Sequence, residues 1–510
     1  MNTTEKNVNA LIILDGWGYN PETEGNAVAL APTPFLDMLE KEFPLCRLAA
    51  SGEAVGLPEG TIGNSEVGHM NIGAGRQVLQ ELVRINRAVE SGTFFENPVI
   101  LDLMNKVKTK GKSLHLIGLL SDGGVHSHIN HLFALVKTAR MQGIENLYIH
   151  PVLDGRDTPP KSGIHYLESL QSFLFEQGLG KVATLCGRFW AMDRDTRWDR
   201  VEKAFRLYTR AEGRDETDPA EALRALYEEG RTDEFIEPVA IDPETTITDG
   251  DGILFFNFRA DRARELTRAF TEKGFDEFNV QDRPDLSGFV SMTRYDEHFD
   301  IPAAFMPQQL ENILGEVLSR NGIRQLRLAE TEKFAHVTYF FNGGDEKVFD
   351  GEERILIPSP REVSTYDLKP EMSALQVADT AVEKIESGEF DFLVINFANM
   401  DMVGHTGVME AAVKACETVD SALQKVVRAI WNTGGTAVVT ADHGNSEKMI
   451  DHDGSPYTAH TLNPVNLIIA GERFKNIRLK DGILGDIAPT ILKILGKEQP
   501  REMTGDALYD

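Results

Sequence analysis

A chain of 510 residues, 41% of them hydrophobic, exceeds the ~250 residues of most single domains and can bury two cores. Its formal net charge of -28, from 80 acidic against 52 basic side chains, excludes a general binder of nucleic acid or anionic membrane, whose phosphates demand broad basic surface. No stretch reaches the ~20 consecutive apolar residues of a membrane span, and Cys46, Cys186 and Cys416 form no CxxC pair, so the expectation is an untargeted, soluble cytoplasmic protein without a disulfide framework or thiolate metal site.

Apolar runs of strand length at 10–14, 113–119, 147–153, 252–258, 392–397 and 436–440 alternate with longer amphipathic stretches. Buried parallel strands joined by helices give that pattern, so the fold class read from it is α/β. The first run ends on Asp15. A glycine-rich segment, GTIGNSEVGHMNIGAGR, follows at 60–76 and carries Ser65. The middle of the chain is rich in arginine: DGRDTPP at 154–160, GRFWAMDRD at 187–195 and NFRADR at 257–262. His128 and His131 form a weak pair expected on a loop or helix surface. The run at 392–397 leads to Asp401 and His405, the run at 436–440 to Asp442 and His443, and His460 stands in the polar TAHT. Chemistry-bearing residues thus occupy both ends, with basic ones between. If the ends form one site, residues 79–309 are an insertion into a discontinuous domain of 1–78 and 310–510.

Three segments share one design, an apolar run ending in Asp15, in Asp401, or in Asp442 and His443. Ligands of open parallel sheets bind beyond the carboxyl ends of strands, so these side chains are expected in one crevice. Any one such Asp is ordinarily a helix cap or turn former. The i, i+4 spacing of Asp401 and His405 puts both on one face of a helical turn. Two carboxylates and three imidazoles suit Mn or Zn better than Ca, and Asp15 adds enough ligands for a second ion. Two adjacent ions suit phosphoryl transfer, which needs a nucleophile. Ser65 fits, in a segment able to offer backbone N–H groups and a helix N-terminus to an anion, although an ordinary N-cap serine reads the same. The segment is not GxSxG, and no HExxH helix occurs. Arg156, Arg188, Arg194, Arg259 and Arg262 would clamp a carboxylate and a phosphate, while any one alone reads as a surface ion-pair partner.

DGWG, GNSEVGH, LDGRDTPP, GRFWAMDRD, NFRADR, NMDMVGHTG, TADHGN, TAHT and GDIAPTIL, in this order, cover essentially the whole chain. The set resembles the 2,3-bisphosphoglycerate-independent phosphoglycerate mutases of the alkaline phosphatase superfamily. The resemblance implies two α/β domains, a phosphatase-like metal domain built from both chain ends and an inserted transferase domain. It implies one ion, Mn2+ by preference, on Asp401, His405 and His460, and a second on Asp15, Ser65, Asp442 and His443, with no 2,3-bisphosphoglycerate. Phosphoglycerate would be held by His126, Arg156, Asp157, Arg188, Arg194, Arg259, Arg262 and Lys333. Ser65 would be nucleophile, Lys333 would neutralise the transferring group, and Asp157 would serve as acid and base. A monomer acting on this small molecule is expected, with neither nucleic acid nor membrane as partner. A metal-dependent phosphomonoesterase or phosphopentomutase, and a noncatalytic metal- or anion-binding protein, are the rival readings.

Overall fold

The computed structural model describes residues 7–281 and 283–510. These fall into two compact units, one made of the described residues through Gln80 together with Gln309–Asp510, the other of Glu81–Gln308.

The sheet of unit 1 has eight strands, in the order Glu352–Ile357, Gln325–Glu330, Phe392–Phe397, Asn9–Leu14, Ala437–Thr440, Val465–Ala470, Leu45–Ala49 and Gly482–Ile483. The first five run parallel, and Val465–Ala470 is antiparallel to both its neighbours. Strands Asn9–Leu14, Gln325–Glu330 and Phe392–Phe397 are buried at every residue, which explains why the first and third read as apolar runs, whereas Gln325, Arg327 and Glu330 hid the second from the sequence pattern. Register sets the site. Leu14 pairs with Phe397, and Ile13 with Thr440, so three carboxyl ends finish almost flush and deliver Asp15, Asp401 and Asp442 to one edge. The amphipathic helix Met409–Asn432 covers the sheet with buried residues such as Val419, Leu423 and Val426. Each contributes about 1.5–3 kcal/mol by leaving water.

Unit 2 has a second sheet, ordered Ala303–Phe305, Gly288–Thr293, Gly252–Phe255, Leu114–Leu120, Leu147–Leu153, Thr184–Gly187, Val239–Ala240 and Arg214–Asp215, with Lys181–Val182 paired beside Leu147–Leu153. Its strands through Thr184–Gly187 are parallel. The α/β expectation holds in both units. The run at 252–258 is shorter as a strand than its apolarity suggests, for it leaves the ladder after Phe255. Beyond that point the Asn257 side chain takes the N–H of Leu119, and the Tyr295 hydroxyl donates to the carbonyls of Phe255 and Asn257. His131 is also corrected. His128 caps helix Ile129–Gln142 and stays partly accessible, whereas His131 is fully buried, with Nε2 2.8 Å from Asn86 Oδ1 and its ring against Phe258.

Candidate metal and anion sites

Ser65 is the first residue of helix Ser65–Ala74. The cap is Asn64, whose side chain accepts the Val67 N–H, so the Ser65 hydroxyl is spared that task. Ser65 Oγ receives a hydrogen bond from Lys333 Nζ at 2.6 Å, and lies 2.9 Å from His443 Nε2 and 3.3 Å from Asp15 Oδ1. Lys333 comes from helix Thr331–Ala335, directly after strand Gln325–Glu330 and before a π-helical turn at His336–Phe340. Its ammonium also reaches Asp15 Oδ1 and Asp401 Oδ2, both at 2.6 Å. Burial works against that ammonium, but the carboxylates of Asp15, Asp401 and Asp442 outweigh it and hold its pKa above the ordinary lysine value.

Gly16, at φ 77°, makes the turn after Asp15 possible. A Cβ there would also meet the Asp401 backbone at 2.7 Å. Asp401 and His405 lie on the short helix that follows Phe392–Phe397 and at its end, as the i, i+4 spacing requires. The imidazole tautomers follow from the carbonyls they face. His405 Nδ1 is 2.7 Å from Thr458 O, and His460 Nδ1 is 2.8 Å from Gly63 O. A carbonyl only accepts, so each Nδ1 carries the hydrogen and each neutral ring presents a bare Nε2. Those two Nε2 atoms are 3.0 Å apart and lie 3.1 and 2.9 Å from Asp401 Oδ1. Two bare lone pairs at that distance repel, and only a proton or a cation between them relieves it. The Asp401 carboxylate raises both pKa values by hydrogen bonding, against the opposing effect of burial. Asp401 itself is held well below the carboxylate range: burial opposes its ionisation, and Lys333 and the histidines overcome it.

A second group gathers beside the first. Ligand atoms of Asp15, Asp442 and His443 all lie within 4.8 Å of one another, as do those of Asp401, His443 and His460, so His443 stands between the two sets. Burial and the neighbouring Asp442 push the Asp15 pKa up. For Asp442 burial is outweighed by His443 and His69, which hold it low. Its Oδ2 is buried without a well-formed hydrogen bond. Three buried carboxylates against one buried ammonium leave two negative charges unbalanced. Two divalent cations would turn that into two positive charges, the complement of a phosphomonoester dianion, so the donor set fits such ions. Glu447, fully buried, ties the surrounding loops together by accepting from Gly18 N, Asn445 N, Thr461 Oγ1 and Asn463 Nδ2.

The predicted arginines gather in unit 2 with His126 and Asp157. Arg188, 3% exposed, donates to Asp154 Oδ1 and Asp157 Oδ2, both at 2.6 Å. Asp154 Oδ1 also accepts the N–H groups of Arg156 and Asp157, which shapes the DGRD turn. Arg194 and Arg259 both reach the carboxylate of Asp261, at 3.1 Å each, and His126 Nδ1 lies 3.6 Å from it. Arg262 donates to Met192 O at 3.0 Å. Its pKa is lowered by burial and then by Arg194, Arg188 and Arg156, which places four guanidinium groups close enough to repel. Burial and Arg188 push His126 down to about 4. Arg156 and Arg259 are about half exposed, so this cluster meets water through several cations, whereas the first meets it chiefly through His405.

Sequence reasoning missed His69, Asn396, Glu447, Asp154 and Asp261. His69 stands i+4 from Ser65, a spacing that was there to be used, and Asp154 and Asp261 lie inside motifs already singled out. Asn396 and Glu447 show themselves only through contacts distant in sequence.

The fold and these clusters define an enzyme of small anionic substrates. Residues 85–297 match the family model of the BPG-independent PGAM N-terminus. The chain is 55% identical to a 2,3-bisphosphoglycerate-independent phosphoglycerate mutase of Syntrophotalea carbinolica, with 98% of each chain covered. It is 54% identical to 2,3-bisphosphoglycerate-independent phosphoglycerate mutase 2 of Methanosarcina acetivorans, over 98% of this chain and 96% of that one. A solved structure of Leishmania mexicana phosphoglycerate mutase, obtained at low cobalt concentration, is 33% identical, with a TM-score of 0.60 and coverage of 100% and 99%. The chain belongs to the family of 2,3-bisphosphoglycerate-independent phosphoglycerate mutases. No helix among its described residues is long and apolar enough to cross a membrane.

Proposed function

We propose that the enzyme interconverts 3-phosphoglycerate and 2-phosphoglycerate, in glycolysis and gluconeogenesis, through a phosphoserine at Ser65. The observation that carries this reading is the setting of Ser65 Oγ, relieved of capping by Asn64 and within hydrogen-bond reach of Lys333 and His443. Two divalent ions, Mn2+ by preference, held by Asp401, His405 and His460 and by Asp15, Ser65, Asp442 and His443, would supply the positive charge that acidifies the serine and offsets the phosphoryl oxygens.

Ser65 loses its hydroxyl proton to solvent, its Oγ attacks phosphorus, and the bond to the 3-oxygen breaks. Lys333, already donating to Oγ, turns its ammonium to the charge on the transferring group. Asp157 protonates the departing 3-alkoxide and later removes the proton of the 2-hydroxyl, which takes the phosphoryl group back from Ser65. The phosphate of phosphoglycerate sits at the proposed metal site, and His126 and the arginines, Arg188 and Arg262 foremost, clamp its glycerate end. Retention of glycerate between the two transfers separates a mutase from a phosphatase. The three free, buried cysteines suit a reducing cytoplasm, and we place the enzyme there as a monomer with no nucleic-acid or membrane partner.

Phosphorus NMR with Mn2+ and 3-phosphoglycerate, and no 2,3-bisphosphoglycerate, tests the reading. The expected product is 2-phosphoglycerate, abolished by chelator. Free phosphate alone would make the chain a phosphatase, and no turnover would overturn the proposal.

A further inference from the structure

We infer that His69, fixed by Asn396 as the tautomer carrying its hydrogen on Nδ1, is a positioning residue for the Asp442 carboxylate and for the backbone that carries Ser65. The inference rests on the proposed metal site, because its effect is to orient a ligand of that site.

One amide bridges two side chains. Asn396 Nδ2 lies 2.8 Å from Asp15 Oδ2 and 3.0 Å from His69 Nε2. A carboxylate that binds a cation must be ionised, and Lys333 at 2.6 Å favours that form, so only the N–H side of the amide can face Asp15. The reversed amide would set its oxygen against the carboxylate. The second N–H of the same nitrogen then points to His69 Nε2, which must accept. A neutral imidazole that accepts at Nε2 carries its hydrogen on Nδ1. That hydrogen faces Ser65 O at 2.9 Å and Asp442 Oδ2 at 3.2 Å, nearer to Oδ2 than His443 Nε2 at 3.6 Å. His69, Asn396, Asp15 and Asp442 are all buried from water, so none of these contacts has a solvent substitute.

Packing holds the ring in place. A Cβ on Gly68 would come within 2.7 Å of Asp442 O, so the helix bearing His69 lies directly on the Asp442 backbone. The His336 ring also packs against it, centroid 5.5 Å away. One rigid path therefore runs from Asp15 through Asn396 and His69 to Asp442 and the Ser65 peptide, linking two proposed ligands and the proposed nucleophile without water. Such outer partners set ligand orientation, and their loss costs about 10- to 100-fold in metal affinity or activity.

The test titrates the dialysed full-length chain with Mn2+ and reads free Mn2+ by electron paramagnetic resonance. His69→Gln and Asn396→Leu are expected to raise the dissociation constant about 10- to 100-fold while the melting transition stays cooperative. His131→Gln, an equally buried histidine of unit 2, leaves it unchanged. A wild-type constant in His69→Gln overturns the inference. Should that variant fail to fold, long-range nitrogen-15 NMR of the histidine-labelled wild-type chain decides, with the His69 signal assigned by its shift in Asn396→Leu. A protonated Nδ1 and bare Nε2 are expected, and the reverse tautomer sinks the idea. Failure of the wild-type chain to take up Mn2+ defeats the functional reading instead, and the tautomer measurement still decides for His69.

Discussion

In unit 1 three buried carboxylates and three imidazoles, with His405 partly accessible, surround one buried ammonium, while in unit 2 guanidinium groups crowd around three aspartates in partial contact with water. The same residue type responds in opposite ways. Asp401 raises the pKa of His405 and His460, whereas burial and Arg188 push His126 down to about 4. The first cluster is short of positive charge and the second of negative charge. Local chemistry thus departs from the net charge of -28, and under the proposed function an anionic substrate would find its attraction in these arginines rather than in the field of the whole chain.

The largest expected effect falls on the nucleophile. Ser65→Ala should lower turnover by about 10^4- to 10^6-fold, the range for removing a covalent nucleophile. Manganese affinity should fall far less, since Asp442, His443 and Asp15 remain. Near-normal turnover in the variant, measured by phosphorus NMR, would break the assignment of unit 1 as the transfer site.

Chelation comes next. Ion removal should abolish activity, with Mn2+ restoring it, and should withdraw about 2.7 kcal/mol of stabilisation relative to a metal concentration of 100 times the dissociation constant. The loss should be local. Amide hydrogen exchange is expected to quicken around Asp15, Ser65–Ala74 and Asp442 and to stay constant across the strands Leu114–Leu120 and Leu147–Leu153. Uniform quickening in both units would deny that the cation requirement belongs to unit 1.

Two arginines sharpen the other half. Arg262→Ala removes a cation repelled by its neighbours, so stability should change by less than about 0.5 kcal/mol while KM rises about 10- to 100-fold. Arg188→Ala leaves the buried Asp154 without its cation and should cost about 3–5 kcal/mol in addition. Urea unfolding together with substrate titration separates the two, and equal loss of stability in both variants would contradict the difference in burial.

Much of this organisation was legible because both sheets bury their strands on two faces. Leu147–Leu153 and Phe392–Phe397 stand where apolar runs placed them, and Asp15, Asp401, Asp442 and His443 come together because they end such runs. Asn257 escaped the reading, since a polar side chain that replaces a ladder bond looks like an interruption in an apolar run. His131 escaped too. Its spacing from His128 suggests a shared exposed face, but His128 caps the helix and only His131 turns inward, onto Phe258. Asn396 and Glu447 were beyond reach, because an Asn within a strand and a Glu within a loop declare their partners only after folding brings Asp15 and His69 beside the one and Gly18 beside the other.

The smallest effect tests whether histidines of the two units really shift in opposite senses. Burial pushes His131 down to about 3, so the folded chain refuses a proton that the unfolded chain accepts at its ordinary value near 6.5. Between those values the unfolded state binds more protons, so stability is full above pH 6.5 and declines as pH falls toward 4. His131→Gln removes one such difference and should flatten the acid decline by at most about 1.4 kcal/mol per pH unit. His405 has the opposite sign in metal-free protein. Its folded pKa is raised by Asp401, so its contribution is complete below pH 6.5 and is lost as pH rises through the folded value. His405→Gln should therefore remove a gain in stability that develops as pH falls to 6.5 and leave the slope below pH 6.5 unchanged, an effect smaller than that of His131→Gln because His405 is partly exposed. Urea unfolding of the chelated variants from pH 7.5 to 4 measures both slopes, and slopes of the same sign would dissolve the contrast between a pocket built for cations and a core that excludes them.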